Sequence, residues 1–316
     1  TKEWTRLLGS DDSDRARAIT SDNDGSIYIA GYTSGDLDGQ KNNGYGDGFI
    51  TKFYSNGTKD WTKLFGSSDR DIVTAISLGG DGSIFITGNT FSDFDDQINS
   101  GEDDIFISKF NLDGTQEWTK LYGTSSSDAA YALTTNSDGS MYIVGNTGGN
   151  LDDQTNSGST DAFISKYTTD GAKEWTRLYG TSYYDYGNAL TTGSDGSIYI
   201  AGGTYGDLDG QTNSGDYDGF ISKYNPDGTK DWTRLLGASF FDYESARALT
   251  TGSDGSIYIA VWTIDDHGGF ISKYNPDGTK EWISLQGTTG REYWSALTTG
   301  SDGSIYIAGS TNGDLD

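Results

Sequence analysis

Apolar and polar positions alternate in short runs along the whole chain, and each run ends at a glycine-containing turn. The stretch Gly196–Trp232, GSIYIAGGTYGDLDGQTNSGDYDGFISKYNPDGTKDW, shows this most completely. In a strand, Ile198 and Ile200 face one side and Tyr199 and Ala201 the other. Both sides are largely apolar, which predicts a sheet covered on both faces. No segment combines a 3.6-residue period with capping residues, so helix is not expected.

The pattern repeats. A GSIYI-type segment begins at Gly25, Gly82, Gly139, Gly196, Gly255 and Gly303, and a FISK-type segment at Phe49, Phe106, Phe163, Phe220 and Phe270. A tryptophan opens the next segment at Trp4, Trp61, Trp118, Trp175, Trp232 and Trp282, with spacings of 57 residues four times and then 50. A fixed period of this size signals a repeat architecture, because one unit cannot bury its own core. Each unit reads as four strands. Strand A is a short segment such as Ala16–Thr20 or Ala129–Thr134, B is GSIYIAG, C is FISKY and D is WTRLLG. Asp195-Gly196 joins A to B, and Asn225-Pro226-Asp227-Gly228 joins C to D. Such turns specify tight antiparallel hairpins, since proline presets φ and glycine accepts φ > 0.

Four antiparallel strands per unit, repeated radially, predict an all-β fold, a β-propeller, as one domain over residues 1–316. Units begin near 10, 67, 124, 181, 238 and 288. The sixth offers strand A at Ser295–Thr299 and strand B at Gly303–Gly309. The N-terminal Trp4–Leu8 carries the D pattern and is expected to complete that blade, because donating a terminal strand removes exposed sheet edges. The expectation is six blades, with seven as the alternative.

SDGSIYIAG, DAFISKY and WTRLLG resemble the SBBP-type bacterial β-propeller repeat. The resemblance covers essentially the whole chain. It implies propellers that are often seven-bladed and belong to large secreted and cell-surface proteins. It implies no common catalytic motif.

Composition narrows the function. A net charge of −26 disfavours nucleic-acid phosphates and anionic membranes and attracts cations. There is no cysteine, hence no disulfide or thiol chemistry. No apolar run approaches the ~18 residues of a membrane span. A chain opening on Thr without a signal peptide reads as a piece of a longer protein.

The A–B and C–D turns are short and regular, whereas the B–C and D–A loops are long and varied, and function in repeat folds favours such loops. In the B–C loop GDLDGQTNSGDYDGF, Asp207, Asp209, Gln211 and Asp218 occupy relative positions 1, 3, 5 and 12. Asp36, Asp38, Gln40 and Asp47 repeat them, as do Asp93, Asp95, Gln97 and Asp104. The third unit has Asn150, Asp152, Gln154 and Asp161. This is the oxygen-ligand spacing of a calcium loop, without the glycine an EF-hand needs at position 6. Calcium is therefore the cofactor to test, and the competing reading is turn capping. A second acid follows each tryptophan by ten residues (Asp14, Asp71, Asp128, Asp185, Asp242, Glu292). It reads as a loop-to-strand hydrogen bond, or as a ring of like charge at a channel mouth.

The D–A loops carry aromatics in the later units: Tyr183, Tyr184 and Tyr186, then Phe240, Phe241 and Tyr243, then Tyr293 and Trp294. If exposed beside Asp, Asn and Gln, such rings suit sugars; otherwise they pack between blades. The fifth B–C loop is shortened and holds Asp265, Asp266 and His267, the one histidine. A loop histidine is more often ordinary than catalytic. The expected function is a non-enzymatic extracellular adhesion module for glycans or partner proteins. The alternative is a polysaccharide-acting enzyme with carboxylates in a central pocket. An enzyme should break symmetry at one acid pair, whereas here one motif is reused in four units.

Overall fold

A computed structural model describes residues 3–237, 243–263, 269–286 and 292–311. The first sheet is β1 (Asp14–Ser21), β2 (Ile27–Thr33), β3 (Asp47–Phe53) and β4 (Lys59–Phe65). The second is β5 (Asp71–Leu78), β6 (Ile84–Thr90), β7 (Asp104–Phe110) and β8 (Gln116–Tyr122). The third is β9 (Asp128–Thr135), β10 (Met141–Thr147), β11 (Asp161–Tyr167) and β12 (Lys173–Tyr179). The fourth is β13 (Asp185–Thr192), β14 (Ile198–Thr204), β15 (Asp218–Tyr224) and β16 (Lys230–Leu235). The fifth is β17 (Glu244–Thr251), β18 (Ile257–Thr263), β19 (Gly269–Tyr274) and β20 (Lys280–Gln286), and a pair follows, β21 (Glu292–Thr299) and β22 (Ile305–Thr311). In every four-stranded sheet the strands lie side by side in chain order, as hairpin turns dictate. The fold is thus all-β, built from antiparallel four-stranded sheets of the propeller type.

Two compact units divide the chain. One comprises Thr1–Ile143, Thr147–Leu151 and Lys166–Glu174; the other comprises Val144–Asn146, Asp152–Ser165 and Trp175–Asp316. In the first, Tyr28, Ala30 and Ile50 pack against Val73, Ile84, Ile86 and Phe106 of the next sheet. In the second, Tyr199, Ala201 and Ile221 meet Leu249, Ile257, Ile259 and Phe270. All seven residues of β6, β10, β14 and β18 are buried, as two apolar strand faces require.

The repeated tryptophan locks one sheet to the next. Trp61 Nε1 donates to Leu112 O at 3.1 Å, and Trp232 Nε1 to Pro276 O at 3.2 Å. The indole covers the glycine of that C–D turn. A Cβ on Gly278, at φ +79°, would lie 2.8 Å from the Trp232 ring. Glycine is required there twice over, by the left-handed backbone and by the close approach.

Trp4 makes the same contact with the first sheet, donating to Ser55 O at 3.0 Å. It stands where a preceding D strand would stand. Trp4–Leu8 nevertheless forms no strand, and Leu7 is 99% exposed. The segment expected to supply the closing strand is therefore not itself a strand. A D strand pairs with its C strand, as β16 does with β15.

Candidate functional site

The long loops stand at the ends of the sheets where A begins and B ends. Asp38 and Asp209 adopt φ of 51° and 52°, followed by Gly39 and Gly210 at 78° and 74°. Leu37 and Gln40 exchange backbone hydrogen bonds at 3.1 and 3.0 Å, as do Leu208 and Gln211. These are two-residue turns with both central residues left-handed, which explains the Asp-Gly pair. Leu37, Phe94, Leu151 and Leu208 are buried and anchor the loops.

Each position of the 1-3-5-12 pattern has its own partner. Gln40 donates to Thr62 O at 2.8 Å and accepts from Leu64 N at 3.0 Å; Gln211 does the same with Thr233 O and Leu235 N. Gln97 and Gln154 repeat the arrangement. The amide thus pairs with the open edge of strand D as one peptide of a further strand would. Asp38 accepts from Lys59 and Thr62, and Asp209 from Lys230 and Thr233. Burial alone would raise the Asp38 and Asp209 carboxyls, but these partners hold them below the ordinary value. Asp95 accepts from Gln116 and Asp152 from Thr176. Asp36, Asp93 and Asp207 accept from the backbone of Asn42, Asn99 and Asn213. Asp47, Asp104, Asp161 and Asp218 are buried and accept from backbone N–H groups four residues upstream. The four positions do not converge on one point. Among the described residues no three acids or histidines form a metal-holding group. The loop donors do not fit a calcium ion held in the loop.

The second set of acids lies at the start of strand A, and three of its members are not on the surface. Asp71, Asp128 and Asp185 are fully buried. Each accepts from the loop as expected: Ser67 N donates to Asp71 at 2.6 Å, and Thr124 N to Asp128 and Thr181 N to Asp185, also at 2.6 Å. Burial raises all three carboxyls, Asp71 to about 6, and an acid at the start of strand C adds to each shift: Asp47, Asp104 and Asp161 respectively. In the fifth unit the D–A loop is two residues longer. Glu244, not Asp242, pairs with Thr263 as Asp185 pairs with Thr204. Asp242, Asp265, Asp266 and His267 fall outside the described residues, as do Phe240 and Phe241, and the Glu292 side chain is not described.

The aromatics form a ladder in the second unit. Tyr184 stacks parallel to Tyr186 at 6.4 Å between ring centres, Tyr205 meets Tyr217 at 4.5 Å, and Tyr217 meets Tyr243 at 4.4 Å. Trp262 continues the series to Tyr293 at 5.0 Å, with Arg247 above its ring. Tyr217 and Trp262 are buried supports, whereas Tyr183, Tyr184, Tyr205 and Tyr293 are exposed. Trp294 instead packs, partly buried, against the core of Ala248, Tyr258, Ala260 and Leu297. Tyr205 and Tyr217 follow strand B, outside the D–A loops where the sequence directs attention.

Tyr183 and Tyr205 wall a groove of about 550 Å³ with Thr181, Ser182, Asp207 and Asn213. The matching groove of the first unit, about 360 Å³, is lined by Asp11, Asp12, Ser34, Asp36 and Asn42, with no aromatic ring.

The SBBP family, described as a beta-propeller repeat, matches residues 3–38. Residues 3–38 carry an SBBP-type propeller repeat. A regulatory protein of Caulobacter vibrioides, FlaEY, is 25% identical over 64% of this chain and 24% of its own length. An uncharacterised WD repeat-containing protein of Acanthamoeba polyphaga mimivirus is 22% identical over 72% of this chain and 18% of its own. The chain thus spans a quarter or less of these relatives. Among solved structures, virginiamycin B lyase of Staphylococcus aureus in a catalytically inactive form superposes with a TM-score of 0.55. It shares 14% identity over 95% of this chain and 80% of its own. Polysaccharide lyase Uly1 superposes at 0.51, with 12% identity over 96% and 74%. At such identities the likeness concerns the fold.

Proposed function

We propose that this SBBP-repeat chain is a non-enzymatic binding module, secreted or displayed on a bacterial surface, that recognises glycans through the loop ends of its second unit. Six blades is the count that the repeat supports, with seven as the alternative. The observation that carries the reading is the groove between Tyr183 and Tyr205. Two exposed rings offer flat apolar faces for a pyranose, and Asp207 and Asn213 beside them offer acceptors and donors for its hydroxyls. Repetition of the groove with altered lining suits a binding surface that varies unit by unit. A glycan array tests this, followed by calorimetry on the best hit with Tyr183→Ala and Tyr205→Ala. Each variant should weaken binding at least tenfold with an unchanged melting curve. Silence on the array overturns glycan recognition in favour of protein partners.

A further inference from the structure

The carboxylate pairs between consecutive sheets are left unexplained by the loops. In each of three pairs, Asp47 with Asp71, Asp104 with Asp128 and Asp161 with Asp185, both residues are at most 1% exposed. In all six, Oδ2 accepts a backbone N–H. Oδ1 of Asp47, Asp104 and Asp161 is buried without a hydrogen-bond partner, whereas the hydroxyls of Thr90, Thr147 and Thr204 act on the carboxylates of Asp71, Asp128 and Asp185. In the first and third pairs both acids face the same glycine. A Cβ on Gly66 would lie 2.5 Å from Asp47 Oδ1 and 2.9 Å from Asp71 Oδ2; on Gly180 it would lie 2.4 Å from Asp161 Oδ1 and 3.0 Å from Asp185 Oδ2. A Cβ on Gly123 would lie 2.1 Å from Asp104 Oδ1.

A buried oxygen with no partner is costly, and a buried pair of like charges is more so. Each junction repeats the cost, and among the described residues no lysine or arginine is hydrogen-bonded to any of the six acids. Besides the backbone N–H groups on Oδ2, the side chains around the pair offer oxygen: two carboxylates, the hydroxyl of Ser67, Thr124 or Thr181, and that of Thr90, Thr147 or Thr204. Oxygen side chains select a hard cation, and a charge of +2 cancels both carboxylates. The chain's net charge of −26 raises the local concentration of such ions.

We propose that the three junctions, Asp47–Asp71, Asp104–Asp128 and Asp161–Asp185, each hold one hard divalent cation of the calcium class between the paired carboxylates. The ion joins the start of a C strand to the start of the next A strand and so staples consecutive sheets. Position 12 of the loop pattern belongs to this site, and positions 1, 3 and 5 do not.

The test is calorimetry of the whole protein with calcium chloride after chelator treatment, paired with thermal unfolding. The wild type should take up about one ion per junction and melt several degrees higher with calcium than with chelator. Asp71→Asn, Asp128→Asn and Asp185→Asn combined should abolish the uptake and raise the melting temperature in chelator, because repulsion is gone. Asp36→Asn, Asp93→Asn and Asp207→Asn combined should leave the uptake intact. Crystals of the wild type soaked in terbium give a readout that does not depend on the variants folding, with anomalous peaks expected between the paired acids. No uptake by the wild type overturns the proposal and leaves a shared proton as the neutralising charge. Uptake lost in the loop variant and kept in the junction variant overturns it too.

Discussion

Strand β5 has an aspartate near each end, and the two behave in opposite ways. Asp71, at its start, accepts from Ser67 N and Ser67 Oγ; Asp81, in the turn beyond its end, accepts from Ser83 N and Ser83 Oγ. The partners are the same in kind. Yet burial raises the Asp71 carboxyl to about 6, whereas the Ser83 N–H lowers that of Asp81. The difference is the surroundings. Asp81 is exposed in a turn that closes its own hydrogen bonds, with Gly79 N donating to Ser83 O at 2.8 Å. Asp71 is walled in beside Asp47. The turn end is complete in itself, and the loop end is built around groups that need something more.

The largest expected effect comes from filling the loop-end cradle. Gly180→Ala sets a methyl group against two buried carboxylates and Asp161 Cγ at 2.6 Å. Overpacking of this sort costs typically 1–3 kcal/mol, and about 3 kcal/mol is expected here. At the turn end, Gly255→Ala meets nothing closer than Pro276 at 3.5 Å and suffers from its φ of +80° alone. A left-handed alanine costs roughly 1–2 kcal/mol, and about 1 kcal/mol is expected. Urea denaturation of both variants checks the order. Equal losses would mean that the junction relaxes freely and is no built site.

The second effect is smaller and concerns the backbone. At the loop end the edge of strand D relies on a glutamine from the B–C loop. Gln211→Ala removes two hydrogen bonds and leaves Thr233 O and Leu235 N to water or to each other's strain. The expected loss is about 1–2 kcal/mol. Gln211→Glu keeps the acceptor for Leu235 N and sets a carboxylate against Thr233 O, so it should be no better than alanine. If glutamate matches glutamine in thermal unfolding, the amide is not acting as a strand peptide.

Much of this was legible in the sequence. The 57-residue period, the Asp-Gly turns and the apolar B strands announced the sheets, because local chemistry sets all three. The start of strand A was read two residues late in β1, at Ala16 for Asp14, since a bulge between Ala16 and Ala18 breaks the alternation. The loop pattern misled for a physical reason. Spacing counts oxygens without their directions, and in these loops the left-handed turn at Asp38 and Asp209 sends each oxygen to a different partner. Burial of Asp71, Asp128 and Asp185 was equally hidden, because it depends on the neighbouring sheet. Asn42, Asn99 and Asn213, whose amides bond to the end of strand B at 2.9 to 3.1 Å, passed unnoticed as loop residues. Their recurrence at one offset after each Asp-Leu/Phe-Asp turn was the signal that could have found them.

The smallest effect tests the turn end by pH. Asp81 and Asp138 have carboxyls below the ordinary value, chiefly through the N–H of Ser83 and Ser140. A lowered folded-state value means that the unfolded chain binds protons first as pH falls. The stabilisation is therefore whole above the unfolded value, about 3.9, and is lost as pH falls through the folded one. Both side chains are exposed, so solvent screening limits the effect to roughly 0.2–0.5 kcal/mol each. Asp81→Asn and Asp138→Asn combined should flatten the acid limb of the melting curve below about pH 4 and change nothing at pH 6 to 8 beyond that small loss. Buried, raised carboxylates act in the window above it, so the two ends separate on the pH axis. An acid limb unchanged by both substitutions would show that the turn aspartates are mere solvated polar groups, and the contrast between the ends of strand A would then rest on the loop end alone.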